Sequence, residues 1–102
     1  MRTVRKNYLF LEVANMPRIH EVKILPEYFD AVEKGVKTWE YRFNDRNYAV
    51  GDVLILHEWK DGSYTPRRLT VKITYILSDF PQLPDGWVIM SIKKLQGGKI
   101  KC

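Results

Sequence analysis

Short runs of β-favouring residues, most of them alternating between apolar and polar side chains, constrain this fold more than any other feature. They occur at residues 20–25, 38–43, 53–59, 69–77 and 87–92, and turn-forming residues separate them. An alternation with period two places every second side chain on one face of an extended chain, which is typical of a half-buried strand. The sequence therefore predicts a mainly β protein.

One segment departs from this pattern and predicts a helix. Pro26 suits the first helical position, because the N–H that proline lacks would have no partner there. Glu27 favours the positive end of the helix dipole, and Phe29 and Val32 supply an apolar stripe. Gly35 is a typical residue at a helix end. We therefore expect one short helix between the first two strands.

The length of the chain limits how these elements can be arranged. With 102 residues the chain is long enough for one ordinary domain, since domains usually have about 100 to 150 residues. Small all-β domains commonly protect their strand edges by closing the sheet. We expect an α+β fold, a small β-barrel of about five to six strands with one short helix after the first strand. Asp61-Gly62 predicts a tight hairpin between two of these strands.

The basic residues are concentrated at the two ends of the chain. The formal charge is +5, but residues 20–92 hold nine basic and eleven acidic side chains, a net of −2. We predict a basic N-terminal extension over residues 1–19, a central domain over residues 20–92 and a basic tail over residues 93–102. Because phosphate binding needs basic residues close together, the overall charge alone is weak support for nucleic-acid binding.

Several classes of function lack support in the sequence. No apolar run approaches the roughly 18 residues that span a bilayer, so we expect a cytoplasmic protein without membrane contact. The sequence contains no Walker loop, dinucleotide fingerprint or Ser-His-Asp order. Two histidines and the single Cys102 are too few for a convincing metal site or for an intramolecular disulfide. We expect no metal, no cofactor and a monomer.

The run at residues 38–43 has one aromatic and one polar face. The aromatic residues are Trp39, Tyr41 and Phe43, and the polar residues are Thr38, Glu40 and Arg42. The larger apolar area of the aromatic face predicts that this face enters the core. The polar face would then be either a ligand-binding surface or an ordinary exposed face with a Glu–Arg pair of little energetic weight.

The sequence also resembles a known family. Residues 20–46, from His20-Glu-Val-Lys-Ile-Leu-Pro to Phe43-Asn-Asp-Arg46, are similar to the signature of the domain-of-unknown-function family numbered 3850, which belongs with the ASCH domains in the PUA-like superfamily. Later blocks match in the same order at residues 50–54, 58–59, 64–65, 71–76 and 88–92. The resemblance implies a PUA-type barrel with a ligand cleft near residues 35–38. PUA-like domains commonly bind RNA, and ASCH proteins are proposed to act on RNA or modified nucleosides.

One ASCH enzyme removes the acetyl group from N4-acetylcytidine, and its Gly-x-Lys-Thr-x-Thr-x-Arg element supplies a catalytic lysine and threonine. The resemblance places Lys37, Thr38 and Arg42 at the matching positions. Glu40 stands where that element has its second threonine, and this chain lacks the acidic insertion that would carry the downstream catalytic glutamate. The resemblance therefore supports nucleotide binding better than amide hydrolysis.

The residue types themselves also predict a site. Lys37 lies at a helix-to-strand junction, from which a lysine can reach a cleft as a base or nucleophile, or remain solvated. Arg42 can bind a phosphate through two hydrogen bonds, and Glu40 can orient it or accept from an exocyclic amine of a base. The predicted ligand-binding residues are His20, Lys37, Thr38, Glu40, Arg42, Arg46, Tyr64 and Arg67. In this set His20 is at the mouth of the first strand, Arg46 could face a phosphate, and Tyr64 with Arg67 could stack and neutralise single-stranded nucleic acid.

Three hypotheses follow. The first is a module that binds RNA or a modified nucleotide at Lys37, Glu40 and Arg42. The second is an enzyme, either a nucleoside amidohydrolase or a small ribonuclease, in which Lys37 acts as base or nucleophile and Glu40 transfers protons. The third is a protein-interaction module without nucleic-acid contact.

Overall fold

A computed structural model describes residues 16–95 of the chain. Its elements in chain order are β1 (Ile19–Ile24), α1 (Pro26–Glu33), β2 (Trp39–Phe43), β3 (Val53–Lys60), β4 (Ser63–Leu77) and β5 (Trp87–Lys94). The five strands form one sheet of order β1-β3-β4-β5-β2. β1 runs parallel to β3, and all other neighbouring strands are antiparallel. This half-barrel with one short helix after the first strand confirms the predicted fold class.

The core lies between the helix and one face of the sheet. Strand residues with less than a tenth of their surface exposed alternate with accessible ones, as period-two patterning requires. The apolar core side chains are Val22, Ile24, Phe29, Val32, Tyr48, Leu54, Leu56, Val71, Ile73, Val88, Met90 and Ile92. Among these, Val22 and Ile24 alternate with exposed residues along β1, as the period-two run at residues 20–25 predicts.

The helix begins and ends where the sequence predicts. Pro26 opens α1, and the N–H groups of Tyr28 and Phe29 donate to the carbonyl of Leu25. Phe29 is 2% exposed and anchors the helix in the core. The helix ends before Gly35, whose φ of +80° lies in the left-handed region that glycine adopts without steric cost.

The hairpin between β3 and β4 is tight, as predicted. Asp61 and Gly62 have φ values of 51° and 86°, which is the backbone of a type I′ turn. Because this turn continues the pairing directly, Lys60 pairs with Ser63 and Trp59 with Tyr64. β4 therefore begins at Ser63 rather than at residue 69, where the alternation alone placed its start.

The predicted orientation of β2 is wrong. Trp39, Tyr41 and Phe43 are 48%, 44% and 49% exposed, whereas Glu40 is only 4% exposed and faces inward beside the core. Tyr41 and Phe43 instead lie on the other face of β2, where their rings pack against Trp87. Hydrophobic area favours burying the aromatic face, but paired charges on the other face permit the reverse orientation.

The predicted terminal segments lie mostly outside the described residues, which exclude 1–15 and 96–102. Lys93 and Lys94, which are part of the predicted basic tail, belong to β5. Within residues 16–95, no helix has the length and apolar character needed to span a membrane.

Candidate functional site

The edges of β1 and β2 face one another across a cleft. They are the two terminal strands of the sheet, and within residues 16–95 no backbone ladder joins them. Instead, Arg42 Nη2 donates to the main-chain carbonyl of Lys23 at 2.7 Å, and Arg46 Nη1 donates to that of Glu21 at 2.8 Å. Because side chains rather than main chains connect these edges, cavities remain between the two strands.

The first of these cavities, called here the Glu40 cavity, lies between the end of β1, the start of α1 and β2. Its volume is about 360 Å³, within the range of roughly 300–1,000 Å³ found for small-molecule sites. Of the residues that the structure describes, three aromatic rings and four charged groups line it, together with Ile24 and Leu25. They are Tyr28, Trp39 and Tyr41, and Lys23, Lys37, Glu40 and Arg42.

Glu40 is a buried carboxylate between two cations. Lys37 Nζ donates to its Oε2 at 2.8 Å, and Arg42 Nε donates to its Oε1 at 2.9 Å. These charge-assisted hydrogen bonds offset the cost of removing the carboxylate from water. A carboxylate has roughly four lone-pair positions, so Glu40 retains capacity to accept a hydrogen bond from a ligand.

The Lys37 side chain is nearly enclosed. It is 13% exposed, and its Nζ also donates to the main-chain carbonyl of Trp39. The ammonium lies 4.5 Å from the centre of the Trp39 ring and 5.8 Å from that of Tyr28, within the range of cation–π attraction. The structure thus holds Lys37 in one place inside the cleft.

Two other predicted residues lie outside this cavity. Thr38 is exposed, and its main-chain carbonyl accepts from the N–H of Ile92, which anchors the start of β2. His20 is buried beside Asp52, with Nε2 and Oδ2 2.8 Å apart, and its ring packs edge-on against Tyr48. Neither residue lines the Glu40 cavity.

Asp52 serves as an internal acceptor for the loop before β3. Its carboxylate accepts from the main-chain N–H groups of Arg18 and Ala49 as well as bonding His20. Burial acts to raise the pKa of Asp52, but these hydrogen bonds outweigh burial and lower the pKa below its usual value. The His20–Asp52 pair therefore has an evident role in holding this loop.

Arg67 and Tyr64 lie apart from the cleft. Arg67 binds Glu58 through two hydrogen bonds, of 3.0 Å from Nε and 2.7 Å from Nη2, and also reaches Asp30 on the helix at 2.9 Å. Its guanidinium lies 4.2 Å from the ring centre of Phe29. Tyr64 is 57% exposed and packs against Trp59. We call the Arg67 group the helix clasp, because it fastens α1 to β3 and β4.

The helix clasp also controls the ionisation of Glu58. Hydrogen bonds from Arg67 and Thr65 outweigh the desolvation of this carboxylate and lower its pKa to about 2. The same contacts with Glu58 and Asp30 raise the pKa of Arg67 above its ordinary value. Arg67 is thereby committed to intramolecular contacts.

A second cavity adjoins the first and contains Arg46. This Arg46 cavity has a volume of about 370 Å³ and shares Lys23, Tyr41 and Arg42 with the Glu40 cavity. Tyr48 forms part of its wall. The structure therefore brings Lys37, Glu40, Arg42 and Arg46 together along one cleft, and leaves His20, Thr38, Tyr64 and Arg67 outside it.

Sequence reasoning missed the aromatic walls of the cleft. Tyr28, Trp39 and Tyr41 contribute to the Glu40 cavity, whereas the sequence predicts that Trp39 and Tyr41 enter the core. One signal in the sequence indicates that the charged face of β2 can turn inward. Glu40 and Arg42 are at alternate positions of the strand and can pair with each other, and Lys37, three residues before Glu40, supplies a second cation.

Among residues 16–95, no group of three or more His, Cys, Asp or Glu side chains could hold a metal ion.

The fold and the cleft define a small α+β half-barrel domain with a charged, aromatic-walled cleft between its terminal strands. The family model described as a domain of unknown function (DUF3850) matches residues 19–92. The chain belongs to this family, and the match covers all five strands except the end of β5.

A phage protein is also similar to this chain. It is the "Uncharacterized 12.9 kDa protein in GpA 3'region" of Escherichia phage P2, which is 51% identical over 67 residues. The aligned region makes up 64% of this chain and spans 62% of the length of the phage protein.

Proposed function

We propose that this protein binds RNA or a modified nucleotide, and that a base enters the Glu40 cavity. The observation that carries this proposal is the position of Glu40, a buried carboxylate at the wall of a cavity large enough for a small molecule. A carboxylate accepts hydrogen bonds from exocyclic amines, such as N4 of cytosine or N6 of adenine. The resemblance to PUA-like domains adds support from the sequence.

The aromatic walls favour a planar ligand. Tyr28, Trp39 and Tyr41 are each nearly half exposed and surround the same opening. Stacking of a base on an aromatic side chain contributes about 1–3 kcal/mol, and every base has a face that can stack. A flat base that donates an amine to Glu40 would therefore gain both kinds of contact.

Calorimetric titration of the protein with cytidine, adenosine, uridine and N4-acetylcytidine tests this proposal. We expect cytidine or adenosine to bind more tightly than uridine, which has no exocyclic amine. Tyr28→Ala should weaken binding by about tenfold. Tyr75→Ala is the matched control, because Tyr75 is 59% exposed but lines neither cavity. Equal affinities for all bases, or equal effects of the two tyrosine variants, would contradict the proposal.

A second candidate function rests on the 2.8 Å contact between Lys37 Nζ and Glu40 Oε2. A lysine and a carboxylate in direct contact within a cleft can pass a proton between them during hydrolysis of an amide. Incubation with N4-acetylcytidine should then release acetate and cytidine, and Lys37→Ala should abolish the release. Structured RNA in a parallel reaction tests the ribonuclease alternative. Unchanged substrates with the parent protein would exclude hydrolysis of these compounds.

A further inference from the structure

The Arg46 cavity has features of a phosphate site next to the Glu40 cavity. It lies farther along β2, toward Phe43 and the loop that follows, and Arg42 belongs to both cavities. Among residues 16–95, its charged lining consists of three cations, Lys23, Arg42 and Arg46, and a single carboxylate, Asp45. The local charge is thus positive, although the central domain as a whole is slightly acidic.

Two arginines in this cavity are anchored to the same strand. Arg42 and Arg46 bind the main-chain carbonyls of Lys23 and Glu21, which are two residues apart on the same strand. At about 3.3 Å per residue these carbonyls lie roughly 7 Å apart. Because charge-assisted hydrogen bonds to phosphate oxygens are about 2.7–2.9 Å long, a tetrahedral phosphate fits between guanidinium groups anchored at this distance.

The Arg46 cavity also contains hydrogen-bond donors that are available to such an anion. Within residues 16–95, Nη1 of Arg42 forms no hydrogen bond, and the Arg46 side chain is 42% exposed. The hydroxyl of Tyr48, in the wall of the same cavity, donates to no other group among these residues; because none of their fully enclosed side-chain polar atoms lacks a partner, this hydroxyl is accessible to a ligand. Burial raises the pKa of Tyr48 against the opposing effect of Arg42 and Arg46, so its hydroxyl keeps the proton that it can donate.

We infer that the Arg46 cavity binds the phosphate group of the nucleotide whose base occupies the Glu40 cavity. This inference rests on the proposed function and specifies its ligand as a phosphorylated nucleoside. The phosphate can belong to a free 5′-nucleotide or to the backbone of RNA. Arg42 lines both cavities, and its Nε donates to Glu40 while its Nη1 remains available to the anion.

Calorimetric titrations of the full chain at constant ionic strength test the inference with cytidine, cytidine 5′-monophosphate and hexacytidylate, and with the corresponding adenine compounds. Hydrogen bonds to charged groups contribute about 1.5–3 kcal/mol each, so a phosphorylated ligand should bind about tenfold to a hundredfold more tightly than its nucleoside. A gain with the monophosphate indicates a free nucleotide, and a gain with the oligonucleotide alone indicates RNA. Either gain supports the phosphate site.

Single-residue variants show which side chains provide the gain in affinity from the phosphate. Arg46→Gln should reduce the ratio of nucleotide affinity to nucleoside affinity to a value near one. Tyr48→Phe should also reduce this ratio. Arg68→Gln is the matched control, since Arg68 is exposed on β4 and lines neither cavity. If nucleosides bind but phosphate adds nothing, or if Arg68→Gln lowers the ratio as much as Arg46→Gln, the phosphate site is wrong while the proposed function stands. If no nucleoside or nucleotide binds, both are wrong.

Discussion

Neutralising Glu40 should destabilise the protein strongly, because it would leave two largely buried cations without the carboxylate that they share. Glu40→Gln keeps the shape of the side chain but removes the charge that Lys37 and Arg42 share. Removing one partner of a fully buried ion pair costs about 3–5 kcal/mol. Since Lys37 and Arg42 are 13% and 22% exposed, we take the lower end, about 3 kcal/mol.

Equilibrium unfolding in urea, followed by circular dichroism, measures this loss directly. In a domain of this size about 3 kcal/mol corresponds to a decrease of roughly 12–24 °C in Tm, which calorimetry can confirm. Glu21→Gln is the control, because Glu21 is 64% exposed in its contact with His57 and an exposed pair contributes at most about 1 kcal/mol. A Glu40→Gln protein within about 0.5 kcal/mol of the parent would refute the reasoning from buried charge.

A triple variant separates stability from binding. Lys37→Met, Glu40→Leu and Arg42→Met together replace the charged cluster with apolar side chains of similar size. Because apolar replacement of a whole buried ion cluster is often neutral or stabilising, we expect this protein to be more stable than Glu40→Gln but unable to bind a nucleotide. A triple variant that is less stable than Glu40→Gln would instead make the cluster a structural requirement.

Two further predictions concern other parts of the fold. The pKa of Glu58 is lowered from 4.5 to about 2 by Arg67 and Thr65, so the clasp stabilises the protein fully above pH 4.5 and this contribution is lost as the pH falls through about 2. Tm measured against pH should therefore show Glu58→Gln less stable than the parent above pH 4.5, with the difference narrowing in acid; a constant difference would contradict this. Gly86→Ala should destabilise more than Gly35→Ala in urea unfolding. Both glycines have positive φ, but a Cβ on Gly86 would lie 2.6 Å from Cε1 of Phe43, whereas one on Gly35 meets nothing within 4 Å; equal losses would show that the ring moves aside.

The sequence predicts the elements of this fold well because their signals are local. Period-two runs, the proline at the start of α1 and the Asp61-Gly62 turn each depend on a few neighbouring residues. The orientation of β2 could not be predicted in this way. Its alternation defines two faces, but which face turns inward depends on whether Glu40 has cationic partners. One of these partners, Arg42, also donates to the main-chain carbonyl of Lys23 across the cleft.

The same limit applies to the candidate site. Lys37, Glu40 and Arg42 lie within a stretch of six residues, so one local motif predicts all three. The aromatic walls and the second cavity depend on how β1, α1 and β2 come together in space. Arg67 shows the converse error, since an arginine near an exposed tyrosine suggests nucleic acid until its contacts with Glu58 and Asp30 are seen.

The arginine contacts across the cleft have a consequence for aggregation. A terminal strand with unpaired carbonyls can be extended by a strand from another molecule, which is a common start of intermolecular sheets. In β1 the carbonyls of Glu21 and Lys23 already accept from Arg46 and Arg42, so an incoming strand would have to displace two charge-assisted hydrogen bonds. The side chains that make the cleft attractive to an anion therefore also make this edge a poor template for pairing between molecules.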